Sequence, residues 1–211
     1  MTAFLLIWSP KKWPWPELPD FARRVRAGET VADTWGCGFA RGILPGDRVF
    51  LHRVAAEPRG LFGSGYVTRA PYEVPDTAYK RGYRLCIDFV YDWLVDAGED
   101  VVIARDDLRI HPFSVQTWDA QSSGTVIKPV AEGALEKRWA ELTGRRPMPA
   151  PVLAAMQALH DAQTAPAAAP APGQTPGAAR PARKRAASQG TSRGTAPHPA
   201  PPSARRGPRT R

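Results

Sequence analysis

The chain has 211 residues, with 29 Lys+Arg against 20 Asp+Glu for a formal net charge of +9, together with 23 Pro and 2 Cys; that length lies between one and two domains at the usual ~100–200 residues per domain. No apolar run approaches the ~20 residues of a membrane span, and the opening run Ala3–Trp8 lacks the basic flank and small-residue cleavage site of a secretory signal. Two cysteines cannot build a disulfide framework, and Cys37 and Cys86 have no metal-ligand spacing with His52, His111, His160 and His198, so the expectation is a soluble, cytoplasmic protein with no metal and no cofactor.

The charge is unevenly placed. Residues 1–144 hold all 19 aromatics (7 Trp, 5 Tyr and 7 Phe) with 18 Lys+Arg and 19 Asp+Glu, a net charge of −1. Residues 145–211 hold no aromatic, 11 Lys+Arg and a single acid, Asp161, a net charge of +10. A folded domain is therefore expected over 1–144.

In chain order, the apolar run Phe4–Trp8 ends at Ser9-Pro10 and predicts a buried strand. Pro19 suits the first turn of a helix in which Phe21, Ala22 and Val25 share one face before Gly28 stops it. Pro45-Gly46-Asp47 predicts a turn, followed by a strand through Val49, Phe50 and Leu51. Gly60–Thr68 predicts its hairpin-like neighbour, with a bulge or close backbone approach at Gly63 and Gly65. Leu85, Ile87, Phe89 and Tyr91 alternate with Arg84, Cys86, Asp88 and Val90, as in a half-buried strand. Pro129 opens a helix with Ala131, Leu135, Trp139 and Leu142 on one face. Successive short strands closed by a few helices favour an α+β small barrel over a doubly wound sheet. No Gly-rich phosphate loop joins a strand to a helix, which leaves nucleotide-dependent chemistry without support.

From Gln163 to Arg211 there is no Leu, Ile, Val or aromatic residue, but ten Pro, thirteen Ala and nine Lys+Arg. Such a segment has nothing to bury against the ~1–2 kcal/mol per residue that fixing a backbone costs. Residues 163–211 are expected to be a disordered Pro/Ala/Arg-rich tail, and 145–162 a linker in which Val152–His160 can form a short helix. Arg183-Lys184-Arg185 and Arg205-Arg206 suit a polyanion-binding arm, or else a solvated extension.

Three groups carry chemistry. Trp8-Ser9-Pro10-Lys11-Lys12-Trp13-Pro14-Trp15 places three indoles beside two lysines, which suits stacking on a base next to a phosphate; the plain alternative is core filling. Thr34-Trp35-Gly36-Cys37-Gly38, followed by Arg41, lets backbone approach a ligand closely beside an indole wall, or is an irregular loop with a core tryptophan. Gln121-Ser122-Ser123-Gly124-Thr125 can hold a ligand edge or a phosphate with its hydroxyls and amides, or is a structural turn.

These groups, with the Pro-Gly-Asp-Arg-Val turn at 45–49 and the Gly60-to-Gly65 strand, stand in the order of the EVE domain, which the chain resembles over about residues 3–142. The EVE domain belongs to the PUA-like superfamily with the YTH and ASCH domains. The resemblance is closest to the branch with a Trp-x-Pro-x-x-Trp start and a late Ser-Gly-Thr, often fused to HNH nucleases. It implies a PUA-like β-pseudobarrel of short mixed strands with flanking helices. It also implies a non-catalytic reader that flips a methylated or hydroxymethylated base, such as 5-methylcytosine, of DNA or RNA into an aromatic pocket.

By family position the pocket falls to Trp8, Trp13, Trp15 and Trp35, the Cys37 backbone with Gly38, and Ser123, Gly124 and Thr125; Lys11, Lys12 and Arg41 are the nearest cations for phosphates. The four scattered histidines cannot supply a nuclease site, so a nuclease partner in trans, as in a modification-dependent restriction system, is the implied arrangement. Two rival readings are a tail-driven, nonspecific polyanion-binding adaptor and a PUA-like enzyme using Cys37. Nothing in the sequence places a base and an orienting group beside that thiol.

Overall fold

The computed structural model describes residues 1–144; the expected linker over 145–162, its short helix and the tail over 163–211 lie outside the described residues. The elements are β1 (Ala3–Trp8), α1 (Leu18–Arg26), β2 (Ala32–Gly36), β3 (Arg48–Arg53), β4 (Gly60–Pro75), β5 (Tyr83–Leu94), β6 (Ile103–Ala104), β7 (Thr125–Val126) and α2 (Pro129–Thr143). Two short 3-10 turns, Asp107–Arg109 and Phe113–Val115, lie between β6 and β7.

The strands make one mixed sheet in the order β2-β5-β4-β3-β1-β7, with β6 paired to β4 off that path. Only β1 and β3 run parallel, Leu5 opposite Phe50; every other ladder is antiparallel. The fold is α+β, as expected. Side chains alternate along a strand, so β1 feeds two cores. Phe4, Leu6 and Trp8 face a cluster with Val49, Leu51, Phe62, Ile87 and α1. Ala3 and Leu5 face a second cluster with Phe50, Leu61, Trp118 and α2.

Each helix follows its sequence signals with one exception. In α1, Leu18, Ala22 and Val25 are buried and Gly28 ends the run at a φ of +84°. In α2, Ala131, Leu135 and Trp139 are buried and Trp139 meets Phe50 edge-on at 5.3 Å, but Leu142 is 45% exposed. The helix ends two residues after Leu142, at Gly144, whose φ is +68°.

Two elements differ from expectation, and one close approach is as expected. β4 runs seven residues past Thr68, through the proline-interrupted Arg69–Pro75, because β5 extends far enough to pair with it. β2 is an edge strand where the sequence reading offered a ligand-approaching backbone or an irregular loop, and no strand. At Gly65 the expected close approach is present: a Cβ there would lie 2.3 Å from the Val90 carbonyl oxygen, beside a register shift between Ser64 and Gly65.

Arg48, fully buried on β3, ties these layers together. It pairs with Asp92 on β5 at 2.8 Å and Glu136 on α2 at 2.9 Å, with its guanidinium 4.4 Å from the Tyr66 ring. The sheet curls until its two edges meet. The turn after β2 and the turn before β7 interlock: a Cβ on Gly124 would lie 2.3 Å from the Cys37 carbonyl oxygen, and one on Gly38 2.7 Å from that of Ser123. Both glycines have positive φ, +85° and +65°, so small size and left-handed backbone are required together.

Candidate functional site

The opening tryptophan motif folds on itself. The amides of Lys12 and Trp13 donate to the Ser9 carbonyl at 3.0 and 3.1 Å, and the Trp8 indole N–H donates to the Trp13 carbonyl at 3.0 Å. That tight turn returns Trp13 over the end of β1. Trp13 stacks on Trp15 with centroids 5.4 Å apart and planes at 14°, and meets Trp35 edge-on at 5.2 Å. Trp15 in turn meets Trp8 at 5.8 Å and Trp35 at 5.4 Å. Trp8, Trp15 and Trp35 are buried while Trp13 is 46% exposed. The cluster is a close-packed group of four indoles, three buried, with Trp13 facing solvent.

Ser123 anchors the other side. Its Oγ accepts the Ile7 amide at 2.8 Å and the Trp35 indole N–H at 3.3 Å, and donates to the Ile7 carbonyl at 3.5 Å. A hydroxyl has one proton and two lone pairs, so this one is fully committed to the fold. The neighbouring Gln121 side chain is exposed and lines the clefts described next.

Three adjoining clefts surround Ser123. One of about 510 Å³ is lined by Ile7, Trp8, Lys12, Trp13, Gln121 and Ser123 among others. A second of about 450 Å³ shares Ile7, Trp13 and Ser123 with it and adds Asp33, Thr34, Trp35 and Arg84. A third of about 190 Å³ carries Gly38, Tyr79, Arg81 and Arg84 with Gln121 and Ser123. The first two lie in the size range of small-ligand sites, and Trp13 is the wall between them.

The residues expected from sequence are thus brought together with different parts. Trp8, Trp13, Trp35, Gly38, Ser123 and Lys12 line these clefts, whereas Trp15, Cys37, Gly124 and Thr125 stand behind them. The Cys37 N–H donates to the Leu85 carbonyl at 2.9 Å, so that edge is unavailable to a ligand. Thr125 Oγ1 donates to the Ser122 carbonyl at 3.2 Å. Lys11 is exposed on the turn, and Arg41 points toward Tyr83 and Glu73 at 3.3 and 3.4 Å, away from the clefts.

Sequence reasoning missed Ile7, Asp33, Arg81, Arg84 and Gln121. Only Gln121 carried a local signal, as the first member of the 121–125 group. Asp33 accepts from Tyr91 Oη and the Thr34 amide, both at 2.7 Å, and burial pushes its carboxyl above the usual range. Burial also pushes the Cys37 thiol up to about 11, with nearby Cys86 adding to it. Among the described residues no cluster of three or more His, Cys, Asp or Glu could hold a metal ion, and no helix is long and apolar enough to cross a membrane. The clefts offer stacking surfaces, an acceptor carboxylate, a side-chain amide and isolated cations.

No protein-family model and no curated protein matches the chain. Several solved structures are similar in part. A hypothetical protein from Leishmania major covers 67% of this chain and 96% of its own, at 16% identity and a TM-score of 0.48. A protein from Pseudomonas putida covers 65% and 99%, at 16% identity and 0.44. The human THYN1 protein, solved in complex with 5-methylcytosine containing DNA, covers 64% and 95%, at 10% identity and 0.40.

Proposed function

We propose that residues 1–144 are a PUA-like reader of the EVE type, which takes one modified base of a DNA or RNA strand into the cleft beside Trp13 and performs no chemistry on it. The observation that carries this reading is Trp13: a half-exposed indole held immobile by Trp15 and Trp35, forming the wall between two ligand-sized clefts.

An extruded base costs a few kcal/mol, and stacking on such an indole returns ~1–3 kcal/mol. A methyl group against the remaining aromatic wall adds ~0.8 kcal/mol, enough for selectivity though not for affinity by itself. The Asp33 carboxylate suits an exocyclic amine, the group by which carboxylates read cytosine, and Gln121 can read a base edge. Lys12 is the cation on the rim for a neighbouring phosphate.

The domain is close to neutral, so it supplies selectivity, and the net +10 of residues 145–211 supplies sequence-blind, salt-sensitive affinity. Strand cutting, as in restriction of modified DNA, falls to a partner nuclease. That same +10 favours the second reading, an adaptor that binds polyanions through the tail alone.

The test is a panel of oligonucleotides carrying 5-methyl- and 5-hydroxymethylcytosine, N6-methyladenine or plain bases, bound at two salt concentrations. A preference for one modified base is expected, with Trp13→Ala weakening it by about 5- to 100-fold. Equal affinity for modified and plain strands overturns the reader. Loss of all binding on truncation after Gly144 supports the adaptor.

A further inference from the structure

Next to the cleft lies a patch that the reading above leaves unused. Phe39, on the turn after β2, is 81% exposed, and Tyr79, at the tip of the β4–β5 hairpin, is 48% exposed. A solvent-facing phenyl on a loop is ordinarily free to reorient, but this one is held. The Arg81 guanidinium lies 4.7 Å from the Phe39 ring, 5.5 Å from Tyr79 and 4.8 Å from Tyr83.

Arg81 is itself fixed. Its Nε donates to the Tyr83 carbonyl at 2.7 Å and its Nη2 to the Gly38 carbonyl at 3.2 Å, one residue before Phe39. No described carboxylate pairs with it. The hairpin tip is closed by the Asp76 amide on the Gly82 carbonyl at 2.9 Å and the Gly82 amide on that of Tyr79 at 2.8 Å. Two exposed rings are therefore presented in fixed positions around one planar cation.

We propose that Phe39 and Tyr79, bridged by Arg81, form a second nucleotide subsite: a stacking platform for an unpaired base adjacent in the strand to the one held beside Trp13. Two observations favour a nucleic-acid strand as the occupant. Arg81 is over both rings without a carboxylate partner, exposed Lys80 precedes it, Arg84 of the same cleft pairs with Asp76 at 3.6 Å, and Arg41 pairs with Glu73 at 3.4 Å; these four cations meet two carboxylates, a positive balance that suits a phosphate backbone. The patch is also continuous with the candidate site, because the cleft lined by Gly38, Tyr79 and Arg81 shares Ser123 and Gln121 with the first Trp13 cleft, and Gly36, Arg84 and Ser123 with the second. Base–aromatic stacking tolerates any base, so the subsite adds affinity and leaves modified-base selectivity to the neighbouring cleft.

The proposal rests on the reader assignment, and the experiment separates the two. The full chain is titrated against single-stranded oligonucleotides with one 5-methylcytosine or plain cytosine and 2-aminopurine on its 5′ or its 3′ side. The expected result is quenching of 2-aminopurine on one side only. Phe39→Ala should abolish that quenching and weaken binding at least about fivefold, with the ratio of modified to plain affinity unchanged. Trp13→Ala should do the converse, lowering the ratio while the quenching at saturation remains. A wild-type protein that quenches 2-aminopurine but does not distinguish the two cytosines overturns the reader and keeps the platform. Absence of quenching on either side, or a Phe39→Ala variant that quenches and binds like wild type, overturns the platform.

Discussion

The Trp35 indole N–H donates to Ser123 Oγ at 3.3 Å across the seam where the two edges of the sheet meet. The same oxygen accepts the Ile7 amide at 2.8 Å from the end of β1. One hydroxyl thus fixes the back wall of the cleft and the strand leading to Trp13. Removing that hydroxyl, as in Ser123→Ala, leaves two donors without an acceptor, at a cost on the order of 1–3 kcal/mol. Ser123→Ala is expected to lose that much in urea denaturation, and Ser122→Ala, whose exposed Oγ bonds only to the Ser123 carbonyl at 3.2 Å, to stay within about 0.5 kcal/mol of wild type. Equal stability of the two variants would remove Ser123 from its place as the seam's anchor.

What could be read from sequence alone was what local pattern encodes. The run Phe4–Trp8, the Pro19 and Pro129 helix starts and the alternation at Leu85–Tyr91 each specify an element by their own residues, and each is found near its expected bounds. β2 was ambiguous because an edge strand buries little: of Ala32–Gly36 only Trp35 is buried, so no alternation marks it. The extension of β4 is equally silent, since Arg69–Pro75 carries Pro71 and Pro75 and buries no residue fully, and it is held as strand by its partner β5. The site divides the same way. The tryptophans announced an aromatic cluster, but which of them faces water depends on the turn at Ser9. Asp33, Arg84 and Ile7 reach the clefts through pairings far apart in sequence, 116 residues in the case of Ile7 and Ser123.

Cys37 illustrates how burial decides between rival functions. Its side chain is fully buried, its Sγ lies 3.6 Å from the Ala40 carbonyl, and its thiol is pushed up to about 11. A nucleophilic cysteine needs a lowered pKa and access. The native protein is therefore expected to resist iodoacetamide at pH 8 and to be alkylated at Cys37 only after unfolding, as read by peptide mass mapping. Rapid native alkylation at Cys37 would reopen the enzymatic reading.

His52 gives the fold a pH dependence with a definite sign. It is fully buried on β3, neither ring nitrogen has a partner at hydrogen-bond geometry, and burial pushes the imidazole down to about 4, with the Asp119 charge only partly offsetting it. An unfolded histidine titrates near ~6.5. Between those values the unfolded chain binds a proton that the folded chain refuses, so stability rises with pH across the window. The contribution is fully present above about pH 6.5 and is lost as pH falls toward 4, up to about 3 kcal/mol. The unfolding free energy of wild type minus that of His52→Leu should therefore fall as the pH is lowered from 7 to 4.5, because only the wild type loses this term. The difference between the two proteins cancels the contributions of other groups, including Asp33 and Glu132, whose carboxyls burial raises and which act in the opposite direction. Parallel curves across that window would mean that His52 is protonated in the fold without cost, and that its surroundings are wetter than its burial implies.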